Sequence, residues 1–271
     1  MAMSQCASNL TAFAFAVAAV AAPSTGFTQV DTRAAVEHLR SHDAAERRRA
    51  LESIKGLGRD GIDRDLRRAL FEALQREGDA AAQRARADKR GEQVSFPDDP
   101  ELGVNVAQFV VELRDPESIP ALVSAVGLGA TSVLHALAAF GEPAAVAVAR
   151  LVQQPDARVS AVDQGLLTLR FIVEDGGWRT LSRPALQAIR QVARQRLTGT
   201  QSVTTLWWAI DLAVALDDRR LRTIVEAFAA DHNEAIARGV LDLELAQRTQ
   251  KWAADSLAGV PPLPPRKKPP V

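Results

Sequence analysis

The amino-acid sequence predicts an all-α protein built as a stack of antiparallel helix pairs. Its 271 residues are rich in Ala, Leu and Arg and include no Tyr, a composition that favours helices over sheets. Apolar residues recur at steps of three and four, which is the spacing of one helix face. Between residues 100 and 156, helix-start signals recur every 13 to 16 residues. Two successive helices therefore span about 26 to 30 residues, a repeat length that is typical of solenoids.

The first element along the chain is an apolar run over residues 10–22 (LTAFAFAVAAVAA). It is shorter than the roughly 20 residues that span a bilayer, but it has the length of a signal-peptide core. We therefore expect a signal peptide over 1–26 and a periplasmic or secreted product, with no transmembrane span after cleavage. A cytoplasmic protein is the alternative, because residues 1–9 carry no Lys or Arg. Cys6 precedes the run, so a cleaved chain would contain no thiol.

The remainder of the chain divides into four sections. We expect an N-terminal helical section over 27–90, a loop over 91–99, the main helical repeats over 100–258, and a disordered Pro-rich basic tail over 259–271. One Gly and two Pro in the segment GEQVSFPDDP predict the loop. Six Pro in the tail remove backbone donors and fix φ, which excludes helix and strand there.

The repeat section has start signals and apolar faces that can be named. In Asp115-Pro116, Asp is a favoured N-cap and Pro a favoured first helical residue; Pro143, Asp156 and Pro184 give similar signals. One predicted apolar face, before the repeats, consists of Ile62, Leu66, Leu70 and Leu74, and another consists of Val159, Val162, Leu166, Leu169 and Val173.

Residues of roughly 99 to 230 resemble HEAT-like repeats, and two segments carry the resemblance. The segment DPESIPAL, residues 115–122, is similar to the family's Asp-Pro turn and its helix beginning Ile-Pro-x-Leu. The segment DARVSAV, residues 156–162, is similar to the family's Asp-x-x-Val-Arg-x-x-Ala, with Arg one place early. The resemblance implies a curved α-solenoid whose concave face binds proteins and less often nucleic acids. It does not specify a partner.

Acidic and basic residues balance at 33 each, so nucleic acid is not an expected partner. The balance hides a pattern, since residues 92–175 contain 4 basic and 12 acidic residues, whereas 176–271 contain 14 and 9. Arginines cluster in two strips, which we expect to face solvent and to pair with acids four residues on, as in Arg68 with Glu72 and Arg222 with Glu226. The strips consist of Arg47, Arg48, Arg49, Arg64, Arg67 and Arg68, and of Arg219, Arg220 and Arg222.

The sequence contains none of the common catalytic motifs, such as GxSxG, HExxH or a phosphate-binding loop. We therefore expect no catalytic residue, cofactor or metal site. His38 and His42 lie four apart and could share a metal with Asp31 or Asp43, but such a pair usually lies on a solvated face. His135 is expected in the core or in a groove rather than as a general base.

Trp207, Trp208 and Asp211 form the candidate ligand-binding site, because a carboxylate interrupts an apolar run from Leu206 to Leu216. A buried Asp requires a partner. Either Asp211 pairs with an Arg of an adjacent helix, Arg170 or Arg194, or the three residues present themselves to a ligand in a groove. A Trp followed four residues later by Asp is similar to the arrangement in HEAT-like alkylpurine DNA glycosylases.

A second candidate interaction motif lies in the tail. Pro261, Pro264 and Arg266 match a PxxPxR ligand pattern of SH3-type domains; a plain disordered end is the alternative.

The leading functional hypothesis is a non-enzymatic HEAT-like scaffold of the bacterial cell envelope that binds another protein. The alternative from the enzyme class is a HEAT-like DNA glycosylase or another nucleic-acid-acting enzyme. A third hypothesis, a lyase or chaperone acting on a pigment-binding protein, is allowed by the resemblance but supported by no residue.

Overall fold

The computed structural model describes residues 31–92, 99–175 and 177–259, apart from the side chains of Pro100 and Trp178. Within these residues the chain forms thirteen α-helices, three short 3₁₀ segments and no strand, which confirms the predicted all-α class. The predicted signal peptide and the tail motif at Pro261, Pro264 and Arg266 lie outside the described residues.

The helices are numbered in chain order. They are α1 (Thr32–Leu39), α2 (Ala44–Ile54), α3 (Arg64–Lys89), α4 (Pro100–Leu113), α5 (Ile119–Ser124), α6 (Thr131–Phe140), α7 (Glu142–Gln153), α8 (Val159–Asp175), α9 (Arg183–Thr198), α10 (Val203–Ala215), α11 (Arg219–Ala230), α12 (Asn233–Ala237) and α13 (Leu243–Ala258). The 3₁₀ segments are Arg59–Gly61, Pro116–Ser118 and Trp178–Thr180.

The helices contact one another in two series. In the first series α1, α3, α5, α7, α9 and α11 follow one another, and in the second series α2, α4, α6, α8, α10 and α13 do so. Helices adjacent in the chain also contact across the two series, as α7 does with α8 and α9 with α10. Helix α12 has only five residues and does not continue the second series after α10. Helix α13 does so instead, and it packs against both α10 and α11. This pattern is consistent with the predicted stack of helix pairs.

Short polar residues begin most of these helices, as the sequence indicates. Asp115 accepts a hydrogen bond from the backbone of Glu117 at 2.9 Å, and Pro116 takes the first position of the 3₁₀ turn that leads into α5. Asp31 and Asp43, the two possible metal ligands beside His38 and His42, accept hydrogen bonds from backbone N–H groups in the first turns of α1 and α2. Each such bond satisfies a donor that has no partner inside its helix.

The start predicted at Asp156 is wrong by three residues, because α8 begins at Val159. The Asp156 carboxylate lies 2.7 Å from Nε of Arg86 on α3 and forms an ion pair with it. Arg158, in the same turn, donates to the carbonyl of Val126 at 3.2 Å. Contacts to neighbouring helices thus hold residues that would otherwise start the helix.

The predicted apolar faces are buried, with one exception. Ile62, Leu66, Leu70 and Leu74 are all buried, as are four of the five residues predicted on α8. The exception is Val159, the first residue of α8, which is 52% exposed.

Glycine allows two close approaches between helices. A Cβ at Gly78 of α3 would lie 2.3 Å from the carbonyl oxygen of Ser124 at the end of α5, and one at Gly165 of α8 would lie 2.4 Å from Cγ2 of Val152 on α7. Real Cβ atoms do not come this close, so larger residues there would push the helices apart.

An ion pair lies inside the N-terminal part of the stack. The Arg47 and Glu77 side chains are each 2% exposed, and Arg47 donates to Oε1 of Glu77 from Nε at 3.1 Å and from Nη2 at 2.6 Å. Nη1 of Arg47 donates to the carbonyls of Ser41 and His42, and Oε2 of Glu77 accepts from the backbone N–H of Asp99. The expectation that Arg47 faces solvent is therefore wrong, since its guanidinium joins the α1–α2 connection to α3 and α4.

Two other arginines of the strips form the expected pairs with an acid four residues on. Arg68 pairs with Glu72 at 3.1 Å and Arg222 with Glu226 at 3.3 Å, four residues apart in each case. Arg67 reaches Asp115 at 2.9 Å instead, across to the turn before α5.

Candidate functional site

Trp207, Trp208 and Asp211 lie on α10, which begins after Ser202. The Ser202 hydroxyl accepts a hydrogen bond from the backbone N–H of Thr205. Thr205 is buried and donates its own hydroxyl proton to the carboxylate of Asp163 on α8. Burial raises the pKa of Asp163, while this hydrogen bond and the charge of Arg196 act in the opposite direction. These contacts fix α10 against α8.

Helix α13 provides the residues that contact Trp207, Trp208 and Asp211, and none of these α13 residues was predicted from the sequence. Thr249, Trp252 and Ser256 are spaced by three and four residues, so they share the face of α13 that packs on α10. Nε1 of Trp207 donates to Oγ1 of Thr249 at 2.9 Å. The rings of Trp207 and Trp252 stack at 5.1 Å between centroids, and Trp208 meets Trp252 edge-on at 6.5 Å.

Asp211 is the centre of the cluster, and its side chain is 9% exposed. Oδ1 accepts hydrogen bonds from Nε1 of Trp252 at 3.0 Å and from the hydroxyl of Ser256 at 2.8 Å. Oδ2 accepts from Nη1 of Arg170 at 2.9 Å. Of the two arginines considered from the sequence, Arg170 is therefore the partner. We call Arg170, Trp207, Asp211, Trp252 and Ser256 the tryptophan cluster.

The exposed rim of the tryptophan cluster carries charged side chains. Arg248 of α13 lies over the Trp207 ring at 5.5 Å, a distance at which a cation is attracted by the ring face. Arg170, 32% exposed, also pairs with Glu174 at 2.8 Å. A ligand of Asp211 would have to displace three donors from this chain, so the geometry favours a structural contact of α8, α10 and α13. Ligand binding by Trp207, Trp208 and Asp211 remains a prediction.

We expect Asp211→Ala to lower the free energy of unfolding by about 1 to 3 kcal/mol, because the indole of Trp252 and the hydroxyl of Ser256 lose their acceptor. The loss of the ion pair adds little, since water can reach the partly exposed guanidinium of Arg170. Urea unfolding measures the change. Glu174→Ala, which removes the exposed partner of the same arginine, should cost less than about 1 kcal/mol. An Asp211→Ala protein as stable as the parent would contradict the structural interpretation and favour a ligand site.

The histidines of the described residues belong to no cluster that could hold a metal ion. His135 is exposed on α6 and stacks on Phe171 of α8 at 4.9 Å, so it is not a core histidine. Among the described residues, no group of three or more His, Cys, Asp or Glu is placed to hold a metal ion. Nor does any helix in the described ranges have the length and hydropathy needed to cross a membrane.

A second candidate surface is the groove between α9 and α11, which has a volume of about 730 Å³. Helix α9 carries four arginines and no acidic residue. Arg190 pairs with Asp218 at 3.1 Å, whereas Arg194 and Arg220 are exposed and pair with none of the described carboxylates. We call this surface the α9–α11 groove. It is lined by Gln187, Arg190, Gln191, Arg194, Asp218, Arg220, Leu221, Thr223 and Ile224.

Two further clefts have more carboxylates in their lining than the α9–α11 groove has, and in each of them an arginine pairs with one of these carboxylates. In the cleft between α3 and the turn before α5, Arg67 pairs with Asp115. In the cleft bounded by α3, α5 and α7, Arg86 pairs with Asp156. Three arginines and one carboxylate line the α9–α11 groove, so its lining has a larger net positive charge than that of either cleft.

Comparison with known proteins adds no family to this description. No protein-family model, curated protein or solved structure matches the chain. The surfaces are therefore interpreted from their own geometry.

Proposed function

We propose that the protein is a non-enzymatic scaffold of HEAT-like type that binds another protein through the first helix series, at α9 and α11. The α9–α11 groove is the observation that supports this proposal. It is open to solvent, large enough for a chain segment, and lined by two arginines, Arg194 and Arg220, that pair with no carboxylate of the described residues.

The distribution of charge between the two series adds support. Helix α11 carries three arginines and one glutamate, and the charged residues of the neighbouring α9 are all arginines. In the second series, α4 carries two glutamates and no basic residue, and α8 carries three acidic residues and one arginine. Opposite charge on two series of one stack gives each a different electrostatic preference, which steers association and restricts the choice of partner.

For the compartment we propose the bacterial cell envelope, supported by the apolar run over residues 10–22 and its signal-peptide length.

Site-specific photocross-linking in the native cells tests the proposed function. A photoreactive amino acid in place of Gln191, exposed on α9, should form a discrete covalent adduct with another protein. The same amino acid in place of Gln108, exposed on α4 of the second series, is the matched control and should form no such adduct. Adducts from Gln108 alone, or adducts with nucleic acid, would contradict the proposal.

A further inference from the structure

The walls and floor of the α9–α11 groove differ in chemistry. Its floor contains Leu221, which is buried, and Ile224, which is partly exposed. Gln187 and Gln191 lie one turn apart on α9 and are both exposed at its wall. An apolar floor below a polar wall suits a segment that buries aliphatic side chains and hydrogen-bonds along its edge.

The charge of the groove is set by Arg194 and Arg220. Asp218 contributes the only carboxylate in the described lining, and that carboxylate pairs with Arg190. Arg194 and Arg220 form no ion pair with a described residue and are exposed on opposite helices. Guanidinium groups bind carboxylates through parallel N–H donors, so both are suited to acidic side chains.

These observations together define the occupant. We infer that the α9–α11 groove binds an acidic, amphipathic segment of a partner protein. The apolar residues of that segment pack on Leu221 and Ile224, and its carboxylates pair with Arg194 and Arg220. This inference rests on the proposed function and specifies the chemistry of the partner.

Two other occupants fit less well. A nucleic acid gains affinity from many phosphate contacts along its backbone, whereas this groove has two unpaired arginines, an apolar floor and a carboxylate in its wall. A second copy of the chain could bring its own acidic residues, but those of α4 and α8 are spread over separate helices. An acidic, amphipathic segment of a partner has both carboxylates and apolar side chains within one short stretch.

A selection from a random peptide display library tests the inference on the full-length protein. Peptides enriched on the wild type should carry net negative charge, with apolar residues recurring every three to four positions. Arg194→Glu with Arg220→Glu should weaken binding of a labelled selected peptide at least about tenfold by fluorescence anisotropy, since each charge-assisted contact becomes a repulsion. Ile224→Ser should also weaken binding of this peptide, because it removes an apolar contact at the floor of the groove.

Arg183→Glu is the matched control, because Arg183 is exposed on α9 but does not line the groove. It should change the affinity less than about twofold at physiological salt, where screening limits more distant charges. Circular dichroism of each variant checks that the helices persist.

Enrichment of neutral or basic peptides, or unchanged affinity in the Arg194→Glu, Arg220→Glu protein, would overturn the inference. So would tighter binding of random-sequence DNA than of the selected peptides, or sedimentation showing a self-associated chain that dissociates in this variant. If cross-linking from Gln191 captures a protein while the selection yields no acidic peptides, the proposed function stands and only the chemistry assigned to its partner fails.

Discussion

Glu77→Ala is expected to destabilise the protein by about 3 to 5 kcal/mol, the magnitude for removing one partner of a buried ion pair. The Arg47 guanidinium would keep its hydrogen bonds to the Ser41 and His42 carbonyls but would lose both bonds to Glu77. The backbone N–H of Asp99 would lose its acceptor as well. Equilibrium urea unfolding, followed by circular dichroism, measures the loss.

Two variants separate this effect from a general loss of charge. Glu72→Ala removes an acid on the same helix, 38% exposed and paired with Arg40 and Arg68, and should cost less than about 1 kcal/mol. Arg47→Met combined with Glu77→Gln should be more stable than Glu77→Ala alone, because no charge stays buried and the amide oxygen can still accept from Asp99. Equal losses for Glu72→Ala and Glu77→Ala would contradict the burial of the pair.

Leu166→Ala is expected to cost about 2 to 5 kcal/mol, the range for a buried large-to-small change. Leu166 is fully buried on α8, a helix that packs against α6, α7 and α10, so its truncation would leave a cavity inside the stack. Val159→Ala on the same helix is the control. Val159 is 52% exposed, and its truncation should change stability by less than about 0.5 kcal/mol. Similar unfolding midpoints for the two variants would contradict the assignment of the buried face.

The local features of the fold could be predicted because they depend on neighbouring residues. An N-cap such as Asp115 and an apolar face such as that from Ile62 to Leu74 are determined by residues that lie within a few positions of one another. The helix start near residue 156 could not be placed, because Asp156 and Arg158 are held by α3 and by the turn after α5.

The partners of buried charges were harder to predict, because they come from distant parts of the chain. Arg47 lies among other arginines, which indicates a solvated surface, yet its carboxylate partner is 30 residues away on α3. Arg170 could be named, together with Arg194, as a partner of Asp211, because a buried carboxylate requires a partner and an arginine of an adjacent helix can supply it. Trp252 and Ser256 could not be named, since their role depends on α13, rather than α12, packing on α10.

We propose that the protein binds its partner at the α9–α11 groove and that the tryptophan cluster has a structural role. Hydrogen–deuterium exchange, measured with and without a selected acidic peptide, tests this claim most directly. The peptide should slow exchange in α9 and α11, residues 183–198 and 219–230, and leave the amides around Trp207 and Trp252 unchanged. Protection centred on α10 and α13, with none in α9 and α11, would contradict the claim.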